Sequence, residues 1–380
     1  MDKKLFWLFA LSSGVYFAQG IEGLPSQSLF YYFKETLGFS PEKIMLITSF
    51  TISAWLIKPM IGYVIDSWLS KKAWIFIALS LDIICVLCIG LFSLPVFFLV
   101  VVLLFNATNA AFRDVSVDGM MCVQGKEFGI TGKIQSIQWI AITISGLMTG
   151  ICGGYIAEKL NYRAGYMLLI PFYLLVGLTA FFYKPLIAET RPKSSFLTDM
   201  KKVLGDKRLI LVGVFIFLYK YSPSFGTPLF FVQRDQFKWD KIWIGYFSAI
   251  GAVFEVTGAL IYFKLSKRIN IKKWLYISIF LGAVTTLSYL YYTPVTAVIY
   301  NILYGVLGMF IFLMVMDFMA RNTAKGLEAT SFALLCSFSN LALVASNLSG
   351  AFLLPILGLK PLIVISALTS FLCLPLIKKI

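Results

Sequence analysis

The chain has 380 residues, of which 59% are hydrophobic and only 13% charged. Soluble domains carry about 25% charged residues, so a water-soluble globule is excluded. The net charge of +15 raises nucleic acid as a partner, but the basic residues sort by loop, as described below, and so argue against one.

No histidine occurs. That removes Ser-His-Asp and Cys-His nucleophilic sites, HExxH zinc sites and histidine proton shuttles together. Any proton carried here must ride on Asp or Glu. Cys85 and Cys88 form a CxxC inside an apolar segment, where packing is the expected role. There is no Walker-type GxxxxGK[ST]. No enzyme activity, cofactor or metal is expected.

Apolar runs of about 20 residues recur almost end to end, separated by short polar loops. They predict twelve transmembrane helices at 5–33, 42–65, 74–92, 96–122, 131–157, 164–187, 209–233, 242–264, 274–292, 295–318, 327–353 and 361–377. The first, MDKKLFWLFALSSGVYFAQG, resembles a signal peptide. It lacks a small-residue cleavage site and continues into a full span, so it reads as helix 1. Its middle carries Gln19, Gly20, Glu22, Gly23 and Pro25. The glycines and proline weaken the helix there, and Gln19 and Glu22 share a face at i, i+3.

Helix 2 holds Lys58, which either snorkels to the interface or contacts a gate. The loop that follows supplies Asp66, Lys71 and Lys72, and Asp82 lies in helix 3. Helix 4 turns from FFLVVVLLF into FNATNAAFRDVSVDGMMC (105–122), which places Asn106, Asn109, Arg113, Asp114 and Asp118 in an apolar span. A charge at the bilayer centre costs about 3 kcal/mol on insertion scales, so these groups need partners or water. At 100° per residue Asn109 stacks under Arg113, and Asp114 under Asp118. Phe112 and Val115 are left for a greasy face. The Arg113 guanidinium offers a bidentate fork to a carboxylate or phosphate of a ligand; the alternative is neutralisation by Asp114 or a neighbouring helix. Asp66 and Asp118 are expected to latch Lys71 and Lys72 at an inner gate, with Lys58 and Glu328 as further gate contacts. Gln138 and Trp139 in helix 5, and Asn340 in helix 11, offer hydrogen bonds to a heteroaromatic ligand or to other helices.

The stretch AETRPKSSFLTDMKKVLGDKR (188–208) breaks the hydrophobicity. It reads as a cytoplasmic linker between a six-helix bundle at 1–187 and a second at 209–380. Repeat matches support this: at an offset of 198, Pro25-Ser26 falls on Pro223-Ser224, and Glu42-Lys43-Ile44 on Asp240-Lys241-Ile242. Glu22 then corresponds to Lys220, flanked by Tyr219 and Tyr221 in an equally interrupted helix 7. Paired broken helices at matching positions point to a transporter's cavity. With a cytoplasmic N-terminus, most of the 33 Lys and Arg fall in inner loops. This is the positive-inside pattern, with both termini cytoplasmic.

GYVIDSWLSKK (62–72) resembles the Gly-x-x-x-Asp and basic signature between helices 2 and 3 of the major facilitator superfamily. SAWLIKPMIGYVID, AAFRDVSVDG, SPSFGTPLFF and KGLEATSFALLCSFSN, in that order, resemble blocks of the folate-biopterin transporter family within it. Arg113 stands where that family has a small residue. The resemblance implies an all-α, twelve-helix protein of two pseudo-twofold-related bundles and a pterin or folate as cargo. The residues alone indicate an anionic or polar solute.

The expected function is a secondary active transporter working by alternating access, coupled to protons. Arg113, Lys220, Gln19, Asn106, Asn109, Tyr219, Tyr221, Gln138, Trp139 and Asn340 are the expected substrate contacts. Glu22 and Asp114 are the expected proton carriers. Partners are a small organic anion, protons and the lipid bilayer of a bacterial inner membrane, with no nucleic acid and a monomeric state. A muropeptide- or drug-type permease or exporter and a non-transporting receptor are the other readings.

Overall fold

The computed structural model describes residues 3–39, 47, 50–51, 53–187, 196–239 and 241–380. Residues 188–195 of the expected linker, and Glu42, Lys43, Ile44 and Asp240 of the repeat match, lie outside the described residues. The chain divides into two compact units, one of Met1–Phe196 with Thr323–Ala333, the other of Leu197–Asn322 with Leu334–Ile380.

The first unit contains α1 (Lys3–Ile21), α2 (Ser26–Tyr31), α3 (Lys58–Ser67), α4 (Lys71–Leu91), α5 (Val96–Glu127), α6 (Thr131–Lys159), α7 (Tyr162–Met167) and α8 (Ile170–Phe182). The second contains α9 (Phe196–Gly205), α10 (Lys207–Lys220), α11 (Gly226–Phe231), α12 (Lys241–Leu265), α13 (Ile271–Ser288) and α14 (Pro294–Arg321), then most of α15 (Glu328–Leu357), then α16 (Leu359–Thr369) and α17 (Leu374–Ile377). Polar residues in the short loops start the helices. Ser70, Asn161, Asp206 and Asn270 each accept a backbone N–H from the first turn of α4, α7, α10 and α13, which satisfies donors a helix cannot satisfy itself. Thr293 and Thr296 form a reciprocal cap on α14, with Pro294 at the first position.

Among the described residues, eight helices are long and apolar enough to cross a membrane, spanning 71–91, 96–127, 131–159, 162–182, 271–291, 294–321, 328–357 and 359–377. Of the other four expected spans, the second lies partly outside the described residues and the eighth is the 25-residue α12. The first and seventh are interrupted. Phe97, Phe98, Leu174, Leu178 and Phe181 in the first unit are exposed, as are Val284, Phe352 and Ile356 in the second. Apolar surface on this scale suits lipid rather than water.

The interruptions differ in kind. Between α1 and α2 the chain stays in helical turns, with Glu22 N donating to Ala18 O and Leu24 N to Ile21 O. Between α10 and α11 the backbone at 221–225 has no regular structure. Serines hold it: Ser222 N donates to Ser346 Oγ at 3.0 Å, Ser224 N to Ser346 O at 2.9 Å, and Ser366 Oγ to Pro223 O at 2.5 Å.

Each short helix then widens into a π-turn, at Tyr32–Thr36 and Val232–Gln236. Leu37 N reaches Tyr32 O and Phe237 N reaches Val232 O; Phe39 N reaches Phe33 O and Trp239 N reaches Gln233 O. Gly38 and Lys238 both adopt positive φ, 62° and 56°. The backbone therefore repeats at an offset of 200 here (238 less 38), not at the 198 of the side-chain matches. Over these turns the backbone register thus differs by two from the offset that pairs Glu22 with Lys220 in the sequence. Side-chain identity is a looser guide to register than a five-residue turn that only one backbone path can make.

Helix α5 is exposed in its first half and enclosed almost all round over residues 109–125. Val115 is buried with Ile61, Ile65, Ala111 and Ala329, and Phe112 stacks on Trp74 at 5.1 Å. The greasy face of Phe112 and Val115 packs in the core, because α5 is buried nearly all round over residues 109–125.

Candidate functional site

The polar groups of α5 sort into clusters, each reached from a different helix. Arg113 is fully buried at 1% exposure. Its Nη2 donates to Glu22 Oε1 and its Nε lies 2.7 Å from Asp82 Oδ2. The Tyr173 hydroxyl donates to the same Glu22 oxygen at 3.0 Å, and its ring lies under the guanidinium at 5.1 Å. Asn106 Nδ2 donates to Asp82 Oδ1 at 3.0 Å, with Asn109 also beside that carboxylate. Three helices, α4, α5 and α8, and the turn after α1 thus meet on one guanidinium. Two carboxylates face one cation.

The second cluster lies 100° further round α5. Lys58 Nζ pairs with Asp114 at 2.7 Å and sits 4.4 Å over the Trp55 ring. Asp118 accepts from the Tyr16 hydroxyl at 2.9 Å and from Gln138 Nε2 at 3.4 Å, within the electrostatic reach of Asp114 and Lys58. Trp139 packs edge-on against Tyr16. Again two acids accompany one base.

The third surrounds Asp66. Lys71, itself buried, lies 3.2 Å from Asp66 Oδ1. The other oxygen accepts from Thr330 N at 2.9 Å and Thr330 Oγ1 at 2.8 Å, with Ala329 N at 3.4 Å from Oδ1. Asp66 is therefore the anion at the N-terminal turn of α15, where free N–H groups and the helix dipole favour negative charge. Glu328, the first residue of that helix, is buried and feels Lys71. Gly62 lets the chains meet: a Cβ there would lie 2.8 Å from Thr330 Cα. Lys72 does not join this cluster. It donates to Phe181 O and Tyr183 O at the end of α8.

Beside the first cluster is a cavity of about 430 Å³ lined by Glu22, Phe30, Phe33, Trp55, Asn106 and Tyr166 among others. Arg113 is not on its wall. Gln19, one turn before Glu22, has a buried Oε1 with no hydrogen bond among the described residues.

In the second unit, Lys220 ends α10 with its ammonium 4.7 Å over the Phe312 ring, and no carboxylate pairs with it among the described residues. Tyr219 donates to Ser278 Oγ at 2.7 Å and Tyr221 stacks on Phe217. Asn340 is exposed on α15. Asp317, the buried acid of α14, is matched by Arg321 through two nitrogens and by the Tyr262 hydroxyl.

Asp82, Tyr173 and Tyr16 take part in these clusters without having stood among the expected site residues. Asp82 carried a signal, as a lone acid in an otherwise apolar span. A tyrosine in a membrane helix carries none, since most serve packing or the interface.

Residues 19–380 match the BT1 family. The chain is 25% identical to the folate-biopterin transporter of Synechocystis over 97% of its own length and 81% of that protein's. It is 22% identical to folate transporter 2 of Plasmodium falciparum, over 88% and 78% of the two chains. The crystal structure of the E. coli fucose:proton symporter superposes with a TM-score of 0.75 at 15% identity, covering 98% of both chains; its fold is that of the major facilitator superfamily. Apolar helices, buried charge on a central helix and matches to transporters rather than enzymes agree, and the chain belongs to the BT1 family as an integral, multi-pass membrane transporter.

Proposed function

We propose that the chain is a proton-coupled secondary transporter of a pterin- or folate-type organic anion. The observation that carries this is that, among the described residues, each of three buried clusters in the first unit gathers two acids around one base. Glu22 and Asp82 share Arg113, Asp114 and Asp118 share Lys58, and Asp66 and Glu328 share Lys71. An uncompensated carboxylate inside a membrane protein is costly, and in a chain without histidine a proton on oxygen is the charge that balances it. Glu22 and Asp114 then act as proton carriers, with Asp82 added. Asp66, Lys71 and Glu328 form the inner gate, and Lys220, a cation without an acidic partner among the described residues, meets the anionic part of the solute. The protein works as a monomer in a bacterial inner membrane with both termini cytoplasmic. The names of the relatives support the cargo.

Uptake into proteoliposomes tests the reading. Labelled folate and biopterin are expected to accumulate when the outside is made acidic, and a protonophore abolishes the accumulation. Uptake of a muropeptide instead, or no uptake of any of these solutes, overturns it.

A further inference from the structure

The cavity beside the first cluster has a chemistry of its own. Its walls carry four aromatic rings, Phe30, Phe33, Trp55 and Tyr166, among aliphatic residues; Glu22 and Asn106 form its polar end, and Ser26 and Thr51 also line it. Glu22 Oε1 is occupied by Arg113 and Tyr173, while no donor reaches Oε2 among the described residues. The side chain is 17% exposed, unlike Arg113 and Asp82 behind it. An ionised carboxylate only accepts hydrogen bonds. An occupant must therefore present N–H or O–H groups at this end and a flat apolar face to the rings. Arg113, being enclosed, instead holds the Glu22 carboxylate in place.

We propose that this cavity binds the heterocyclic head of the solute, with Glu22 Oε2 accepting from a ring N–H flanked by an exocyclic amine. The site thus reads a donor edge rather than an anion. The volume is within the range of small-molecule pockets, about 300–1,000 Å³. This inference rests on the transporter reading and names the end of the cargo that the first unit recognises. Ala107 also lines the cavity, and a leucine there fills it without touching the ion cluster.

The test is binding by the detergent-purified full chain to three probes. These are pterin, with a ring N–H beside an amino group; lumazine, in which an oxo acceptor replaces the amino group; and 4-aminobenzoylglutamate, the anionic tail of folate. Pterin is expected to bind, and lumazine to bind at least about ten-fold more weakly, because an acceptor then faces the carboxylate. The tail alone should not bind at this site. Ala107→Leu should weaken pterin about ten-fold or more at an unchanged melting temperature, and Glu22→Gln should narrow the difference between pterin and lumazine. Equal affinity for pterin and lumazine, wild-type affinity in Ala107→Leu, or binding of the tail but not of pterin overturns the site. Any of these results alongside proton-driven folate uptake removes the site and leaves the transporter. The expected binding pattern without uptake does the reverse.

Discussion

At the residue scale, Arg113 is the centre of the first unit's electrostatics. Removing it leaves Glu22 and Asp82 facing each other with no cation, and breaking a buried pair from one side costs about 3–5 kcal/mol. Arg113→Ala is therefore expected to lose most folded protein, seen as a large drop in melting temperature in detergent; a variant as stable as wild type would contradict the triad. Tyr173→Phe removes the hydrogen bond to Glu22 and one with Asn106 and should cost about 1–2 kcal/mol, a modest shift in the same measurement. The sequence made it plain that charge sits at the wrong depth in α5, since Arg113, Asp114 and Asp118 interrupt an apolar run. It did not show the pairing. Arg113 and Asp114 are adjacent in sequence but 100° apart on the helix, so each goes to a different neighbour, and Glu22 arrives from 91 residues away.

At the element scale, two devices hold broken or blunt helix ends. Asp66 caps the start of α15, and Gly62 allows the approach that makes the cap possible. Gly62→Leu would drive a side chain into the Thr330 backbone. It is expected to lower stability by more than Asp66→Asn, which keeps an acceptor oxygen and leaves Glu328 beside Lys71; the order of the two melting temperatures checks this. In the second unit, Ser346 supplies both Oγ and O to the unwound segment before α11. Ser346→Ala leaves the Ser222 N–H without its acceptor and should cost about 1–3 kcal/mol, read in the same melts. The breaks themselves were legible, because Gly and Pro cluster at 20–25 and 223–228. Their register was not. The π-turns and the left-handed residues at 38 and 238 repeat at 200, a periodicity held by the backbone, while the visible identities fall at 198.

At the scale of the whole molecule, the fold was the most legible part. Span length, loop charge and the order of the motif blocks are coarse properties that survive uncertainty at every helix end, and they suffice for the major facilitator fold. What the chain does with its clustered acids depends on which side chains meet, and that information is in the packing. The most direct measurement is proton movement evoked by the solute itself. Proteoliposomes holding a trapped pH-sensitive dye, at equal pH on both sides, are given folate outside. The account predicts that the lumen acidifies as folate enters, and that Asp82→Asn abolishes the acidification. Folate entry with no change in lumenal pH in the wild-type protein would contradict it.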